Sequence, residues 1–133
     1  MGKSLWVVIY NMKRTTIIIT ALLLFAKILG GQEINFRELS IEQAIAAAKA
    51  ENKLIFIDIY TTWCKPCKVM ANTVFKEKDV ADYFNNGFVS IKFNLSDKNY
   101  NFIKDKYEIL AYPTFLYLDT NGKEINRIVE GMN

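Results

Sequence analysis

The feature that most constrains the fold of this chain is a pair of cysteines placed shortly after an apolar run. The run Leu-Ile-Phe-Ile-Asp-Ile-Tyr occupies residues 54–60, and Cys64 and Cys67 follow it with two residues between them. A run of Ile and Phe without polar alternation is typical of a strand buried on both faces. Apolar residues at helical spacing follow the cysteines. This order predicts a strand, a turn that carries both thiols, and a helix.

The position of the two thiols favours dithiol-disulfide exchange. A cysteine reacts as the thiolate, and the free amides and positive dipole end of a helix N-terminus stabilise that anion. Because only two residues separate Cys64 from Cys67, the second thiol can reach back and break a mixed disulfide that the first has formed. We therefore predict a redox-active pair.

Two cysteines can also serve other kinds of site. The chain has two cysteines in total and no histidine. A structural zinc site needs four Cys or His ligands, and Cys-His hydrolases need an imidazole base, so neither is expected. We expect no cofactor and no resident metal. Two alternatives stay open: a structural disulfide, which stabilises so short a ring by only about 2 kcal/mol, and a carrier that holds a soft ion such as Cu(I) between two thiolates.

The first 31 residues have the layout of an export signal. A basic pair at 13–14 precedes an apolar run at 17–26, and two glycines close the segment. An apolar run of this length is about half of what a bilayer-spanning helix needs. We predict a signal peptide over residues 1–31, with Met12 as an alternative start, and export to the periplasm or another extracytoplasmic space. A membrane tether formed by an uncleaved signal is the weaker alternative.

Charge and composition limit the function of the remaining residues. The chain carries a formal charge of +3, and its first 31 residues hold four of the cations and no acid, so the remainder is at −1. Nucleic-acid binding is therefore not expected. The hydrophobic content of 51% is enough for a packed core. Residues 32–133 have the length of one domain.

Helix signals recur along this domain. Ser40 and Gln43 form a capping-box pattern that opens a helix expected to run to Asn52. Apolar spacing predicts two more helices, one of them after Asp79. The inward residues of the helix after Asp79 are expected to be Val80, Tyr83 and Phe84. The other helix is expected to be capped by Ser96, with Phe102, Ile103 and Tyr107 inward.

Strand signals complete the pattern. Residues 88–93 read as a second strand, and residues 114–119 and 124–130 flank an Asn-Gly turn, as in an antiparallel hairpin. A βαβ half followed by a ββ half predicts a mixed sheet with helices on its faces.

Four features accompany the dithiol. Trp63 precedes it, a proline stands inside it, Asp58 lies six positions upstream, and a Tyr-Pro-Thr segment at 112–114 opens the hairpin. With the two cysteines, these residues resemble the thioredoxin family. More narrowly, residues 54–131 resemble the periplasmic C-terminal thioredoxin-like domain of transmembrane thiol-disulfide interchange proteins, through the pattern Asp-x-Tyr-x-x-Trp-Cys-x-x-Cys-Lys.

The resemblance implies an α/β fold class, a thioredoxin-like three-layer fold with a mixed central sheet. The family has a further helix after its last strand, whereas this sequence stops at Asn133. The resemblance therefore implies that the domain at 32–133 lacks the C-terminal helix and is truncated. The sheet face beneath Ile125, Ile128 and Val129 is then expected to lie open.

The resemblance also implies catalytic roles. Cys64 would be the exposed nucleophile and Cys67 the buried resolving thiol. Asp58 matches the family's buried carboxylate, and in so apolar a strand its pKa should be raised, which suits it to take the proton from Cys67. Lys92 matches a position where many members place a lysine near that carboxylate.

Three residues are implied to form the substrate side of the site. Trp63 is expected to be a packed shoulder of the dithiol. Pro113 matches the family's cis-proline, and the backbone of Tyr112 would then be free to pair with an extended substrate segment.

The function implied is an exported thiol-disulfide oxidoreductase that acts mainly as a reductase on protein disulfides. Its partners would be protein disulfide or dithiol substrates and an electron donor, for which a membrane thiol-disulfide reductase is one candidate. The direction follows from relative reduction potentials, which two intervening residues do not fix. The alternatives are the Cu(I) carrier and a non-catalytic thioredoxin-fold binding module.

Overall fold

The structure is a computed structural model that describes residues 33–130. The helices in this part of the chain are α1 (Ile41–Glu51), α2 (Lys65–Asn72), α3 (Lys78–Gly87) and α4 (Asn101–Lys106). The strands are β1 (Leu54–Tyr60), β2 (Phe88–Asn94), β3 (Thr114–Leu118) and β4 (Glu124–Val129). Short 3₁₀ helices occupy Val74–Lys76 and Lys98–Tyr100.

The four strands form one mixed sheet in the order β2-β1-β3-β4. Strand β1 is parallel to β2 and antiparallel to β3, and β3 forms the antiparallel hairpin with β4. The mixed sheet and the hairpin predicted from the sequence are confirmed.

Alternate residues of β1 pack into two apolar clusters on opposite faces of the sheet. Ile55, Ile57 and Ile59 are fully buried in one cluster with residues of α1 and α4. Phe56 lies in the other, where its ring centroid is within 6.2 Å of five aromatic rings. Because both faces of β1 are covered, this strand shows no polar alternation.

The first helix follows its sequence signal closely. The Ser40 hydroxyl accepts a hydrogen bond from the Gln43 amide, and the Gln43 side chain accepts one from the Ser40 amide. Asn52 ends α1 in the left-handed conformation. The capping box satisfies two backbone donors that would otherwise lack partners.

The inward face of α3 differs from the prediction at one residue. Tyr83 was expected to be buried but is 67% exposed. Ala81 is buried in its place, while Val80 and Phe84 pack against the aromatic cluster as predicted. The rotation of α3 places the Tyr83 ring beside Phe84, with 5.6 Å between ring centroids, at the edge of the cluster.

The predicted Ser96 cap is also wrong. The carboxylate of Asp97 accepts from the Asn99 amide and caps a 3₁₀ turn, so α4 begins later, at Asn101. Phe102, predicted to be inward, is exposed. The other two inward residues, Ile103 and Tyr107, are buried as predicted.

Two exposed apolar residues lie on β4. Ile125 and Ile128 are exposed, while Val129 is partly buried. Because Ile128 and Val129 are adjacent on the strand, they lie on opposite faces of the sheet and do not form one open face. The predictions for residues 1–31 and for the end of the chain concern segments outside the described residues. Over residues 33–130, none of the helices combines the length and apolar character needed to span a bilayer.

We expect Gly122→Ala to lower the free energy of unfolding by about 2 kcal/mol. Gly122 sits in the hairpin turn at φ +82°, and a Cβ there would lie 2.5 Å from Cδ1 of Ile45. Urea unfolding would measure the change. Gly87→Ala is the matched control, because a Cβ at Gly87 meets nothing within 4 Å. Equal stability of the two variants would contradict the account of this turn.

Candidate active site

The two cysteines lie where β1 has ended and α2 begins. They form a disulfide with an S–S distance of 2.02 Å. Cys64 is the N-cap of α2, and its Sγ accepts a hydrogen bond from the Cys67 amide at 3.2 Å. Pro66 lies in the first turn of the helix, where a missing amide is tolerated. The predicted strand, turn and helix are therefore present in that order.

The exposure of the two cysteine residues differs from expectation. Cys64 was expected to be exposed and Cys67 buried, but the residues are 4% and 6% exposed. In the disulfide the Cys64 sulfur is bonded to its partner and turned toward the helix amide. The expected contrast between an open and a closed thiol is absent from this oxidised form.

Hydrogen bonds hold the turn that carries Cys64. The Cys64 amide donates to the carbonyl of Thr61 at 3.3 Å. The Thr62 amide donates to Oγ of Ser96 at 2.9 Å, and the Thr62 and Ser96 hydroxyls lie 3.0 Å apart. Ser96 is 34 residues from Thr62 along the chain. No local sequence pattern predicts this contact.

A second loop approaches the disulfide from β3. Thr114 opens β3 and pairs with Ile59 near the end of β1, so the loop before Thr114 lies at the same end of the sheet as Cys64. Trp63 is 70% exposed, and its ring meets that of Tyr112 edge to face, with 5.6 Å between centroids. The structure thus brings these two predicted residues together.

Pro113 lies inside this second loop and is buried. The bond between Tyr112 and Pro113 is cis, as the resemblance implies. The Thr114 hydroxyl donates to the carbonyl of Ala111 at 2.8 Å and holds the loop from its other side.

Asp58, in the middle of the β1 pairing with β2 and β3, is a buried acid at 7% exposure. Burial raises the pKa of Asp58 to about 7 from an ordinary value of 3.8, and the positive charge of Lys92 opposes this rise. Asp58 and Lys92 are register partners on β1 and β2. A carboxyl group with a pKa near neutrality can take or give a proton under physiological conditions.

Lys92 and Tyr60 both lie near Asp58, but they differ in exposure. Lys92 is exposed, and its Nζ lies 5.4 Å from the centroid of the Phe36 ring. Burial, followed by the charge of Asp58, raises the pKa of the Tyr60 hydroxyl. Tyr60 was not among the predicted site residues. Its position two residues after Asp58 on a strand is the signal that places both side chains on one face.

The arrangement therefore combines a disulfide at a helix N-terminus, a carboxyl group that titrates near neutrality and an exposed aromatic residue at the rim. Within residues 33–130, no group of three or more Cys, Asp or Glu side chains is placed to hold a metal ion. These groups are suited to moving an electron pair between sulfurs and a proton to a carboxylate.

A family model matches residues 31–106 of this chain. The family is Thioredox_DsbH, with the description "Protein of unknown function, DUF255". The match covers more than half of the sequence and includes the disulfide, Asp58 and Lys92.

Sequence relatives include two kinds of redox protein. The thiol:disulfide interchange protein DsbD of Pseudoalteromonas atlantica is 36% identical over 87 residues, which are 64% of this chain and 14% of DsbD. Thioredoxin-1 of Saccharomyces cerevisiae is 37% identical over 84 residues, which are 62% of this chain and 74% of that thioredoxin. The chain thus spans most of a thioredoxin and a small part of DsbD.

Solved structures share the fold. A candidate disulphide isomerase of Bacteroides thetaiotaomicron superposes with a TM-score of 0.67 at 40% identity, covering 78% of this chain and 86% of that one. A thioredoxin from Thermus thermophilus superposes with a TM-score of 0.61 at 18% identity, covering 73% and 75%. The predicted thioredoxin-like fold class is confirmed.

Proposed function

Because this chain belongs to the thioredoxin-like Thioredox_DsbH family, we propose that it is a thiol-disulfide oxidoreductase that uses Cys64 and Cys67 to reduce disulfides in protein substrates. The observation that carries the proposal is the Cys64–Cys67 disulfide at the N-terminus of α2. A helix N-terminus stabilises negative charge on the capping sulfur once the disulfide is reduced.

The proposed reaction proceeds through two exchanges. The Cys64 thiolate attacks one sulfur of the substrate disulfide, the substrate S–S bond breaks, and the first substrate sulfur leaves as a thiolate. Cys67 then loses its proton and attacks Sγ of Cys64, which releases the second substrate thiolate and closes the Cys64–Cys67 disulfide. The dithiol gives up two electrons, and an external dithiol donor must restore them.

Asp58 is the proposed acceptor of the Cys67 proton, and Lys92 the proposed modulator of that acid. The buried carboxylate gains little from water, so it holds a proton more tightly than an exposed one. Lys92 stabilises the ionised form across the β1–β2 pair. The opposing effects of burial and of Lys92 leave Asp58 with a pKa of about 7, so its carboxylate can act as a base at neutral pH.

Trp63, Tyr112 and Pro113 are the proposed substrate-binding residues. The exposed Trp63 ring and the loop before β3 border the disulfide. An extended substrate segment would lie along this border and pair with the backbone of Tyr112. Such pairing would hold the substrate sulfur in reach of Cys64.

The proposal also includes export of the protein and an external supply of electrons. The basic and apolar layout of residues 1–31 supports export, and in an oxidising compartment the dithiol stays reduced only if a donor supplies electrons. A membrane thiol-disulfide reductase is the proposed donor, since part of DsbD is similar to this chain.

An exchange assay tests the proposal. We expect the reduced protein, mixed with an equimolar protein disulfide such as insulin, to open one disulfide per Cys64–Cys67 pair, with the pair recovered as a disulfide by mass spectrometry. A sample with both cysteines alkylated is the control. Insulin reduction no faster than in that control would contradict the proposal, and copper retention without exchange would support the carrier alternative.

The reductase direction has its own measurement. Equilibration with glutathione buffers should place the potential of the pair nearer the value of about −270 mV typical of thioredoxin than the value of about −120 mV typical of a strong oxidant. A potential near the second value would assign the protein to the oxidases.

A further inference from the structure

We propose that the surface beside the Cys64–Cys67 disulfide selects partner segments that carry acidic side chains next to their own disulfide, and that Lys65 and Lys68 make this selection. The inference rests on the proposed exchange function and adds a substrate class to it.

The first observation is the charge on the exposed face of α2. Lys65 and Lys68 are three positions apart and both exposed, while the two cysteines are buried. They are the charged residues of the segment 61–72, which contains no acid. Among the described residues, neither lysine forms a salt bridge. A partner that docks on the disulfide therefore meets two uncompensated positive charges.

The second observation is that this positive charge is local. Outside the first 31 residues the chain has a formal charge of −1, so the charge of Lys65 and Lys68 is not part of a general excess of basic residues. Charge placed at the docking face itself acts on the encounter with a partner, because the Debye length is about 10 Å at 0.1 M salt.

The loop before β3, which lies at the same end of the sheet as the disulfide, offers little opposing charge. Its acid is Glu108, which lies beside Arg127. The hydrogen bonds that Arg127 donates to Glu124, with a smaller contribution from the charge of Glu108, raise the pKa of Arg127. The Arg127 guanidinium also donates to the carbonyl of Tyr107 at 2.8 Å. Glu108 is thus the one acid of residues 107–113, against two lysines on α2.

Two apolar side chains border the same surface. Leu110 is 87% exposed in the loop before β3, and Trp63 is exposed beside Tyr112. These exposed side chains offer apolar contact area to a partner that docks at this end of the sheet. The fitting segment therefore combines apolar residues near its disulfide with acids that face Lys65 and Lys68.

The test uses peptides as substrates. Two synthetic peptides share one internal disulfide and the same apolar residues, and differ only in flanking glutamates or flanking lysines. We expect kcat/KM for the glutamate peptide to exceed that for the lysine peptide by about tenfold at low salt, and the ratio to fall toward one in 0.5 M NaCl.

Variants assign the effect to the two lysines. Lys65→Gln with Lys68→Gln should bring the ratio near one, and Lys65→Glu with Lys68→Glu should reverse it. The matched control is Lys49→Glu with Lys123→Glu, which changes net charge by the same amount at the end of the sheet where β1 starts. This control should keep the ratio of the unaltered protein.

A neutral substrate separates binding from thiol chemistry. The rate of 2-hydroxyethyl disulfide reduction should change much less in the variant with Lys65→Gln and Lys68→Gln than the kcat/KM ratio of the two peptides does. Thermal unfolding checks that each variant is folded. Equal rates with both peptides, or an equal shift in the Lys49 and Lys123 control, would overturn the selection while leaving the exchange function intact. Absence of exchange with every disulfide would instead remove the proposed function.

Discussion

Replacing Cys64 with serine is expected to lower the rate of protein-disulfide reduction by more than about 1,000-fold, to that of the buffer dithiol alone. A hydroxyl group cannot form the mixed disulfide through which the electron pair passes. Cys64 is the N-cap of α2, whereas Cys67 is the third residue of that helix and does not occupy its end. Insulin turbidity and peptide kinetics, with dithiothreitol as donor, would measure the loss.

Cys67→Ala is the companion variant that separates attack from release. It keeps the Cys64 sulfur at the N-terminus of α2 but lacks the thiol that resolves the intermediate. We expect it to accumulate a mixed disulfide with the substrate, which mass spectrometry detects and dithiothreitol reduces. If Cys64→Ser trapped substrate and Cys67→Ala did not, the roles of the two thiols would have to be exchanged.

The parts of the fold that the sequence predicted depend on contacts between near neighbours. The capping box at Ser40 joins groups three residues apart, and Pro66 acts within its own helical turn. The Asn-Gly turn sets the hairpin by backbone conformation at Gly122. The boundaries of β1 are also local, since its apolar run ends where the turn begins.

The errors arose where the outcome depends on how elements pack together. The burial of Tyr83 depends on the rotation of α3 against the sheet, which apolar spacing alone leaves uncertain by one position. Serine is a residue type that often caps helices, yet the Ser96 hydroxyl accepts a hydrogen bond from the Thr62 amide in the turn before Cys64. A serine side chain can either cap a helix or bond to another backbone amide, and the tertiary structure decides which of the two it does.

The candidate site combines both kinds of information. The dithiol and its helix were evident from spacing, and the apolar neighbours of Asp58 predicted its raised pKa. The resemblance supplied the partners: Lys92 beside Asp58 follows from strand register, and Tyr112 beside Trp63 follows from the pairing of β1 with β3. Register and pairing are long-range properties that a single strand does not encode.

Asp58→Asn is expected to stabilise the folded protein by about 4 kcal/mol more at pH 8 than at pH 3. Below pH 3.8 the acid is protonated in both folded and unfolded chains. Between pH 3.8 and about 7 the unfolded chain ionises while the folded one keeps its proton, so stability falls as pH rises through this window. Asparagine removes that loss. Urea unfolding of the disulfide form at both pH values would measure it, with the exposed Asp105→Asn as the matched control.

The same substitution should slow the resolving step by about 100-fold above pH 7, where the Asp58 carboxylate would accept the Cys67 proton. Below that pH the acid is already protonated in the unaltered protein, so the two proteins should converge as pH falls. A stability gain without this pH-dependent loss of rate would make Asp58 a buried acid with no part in proton transfer. Lys92→Gln, which removes the charge that favours the carboxylate, should shift the rate profile to higher pH while leaving its height intact.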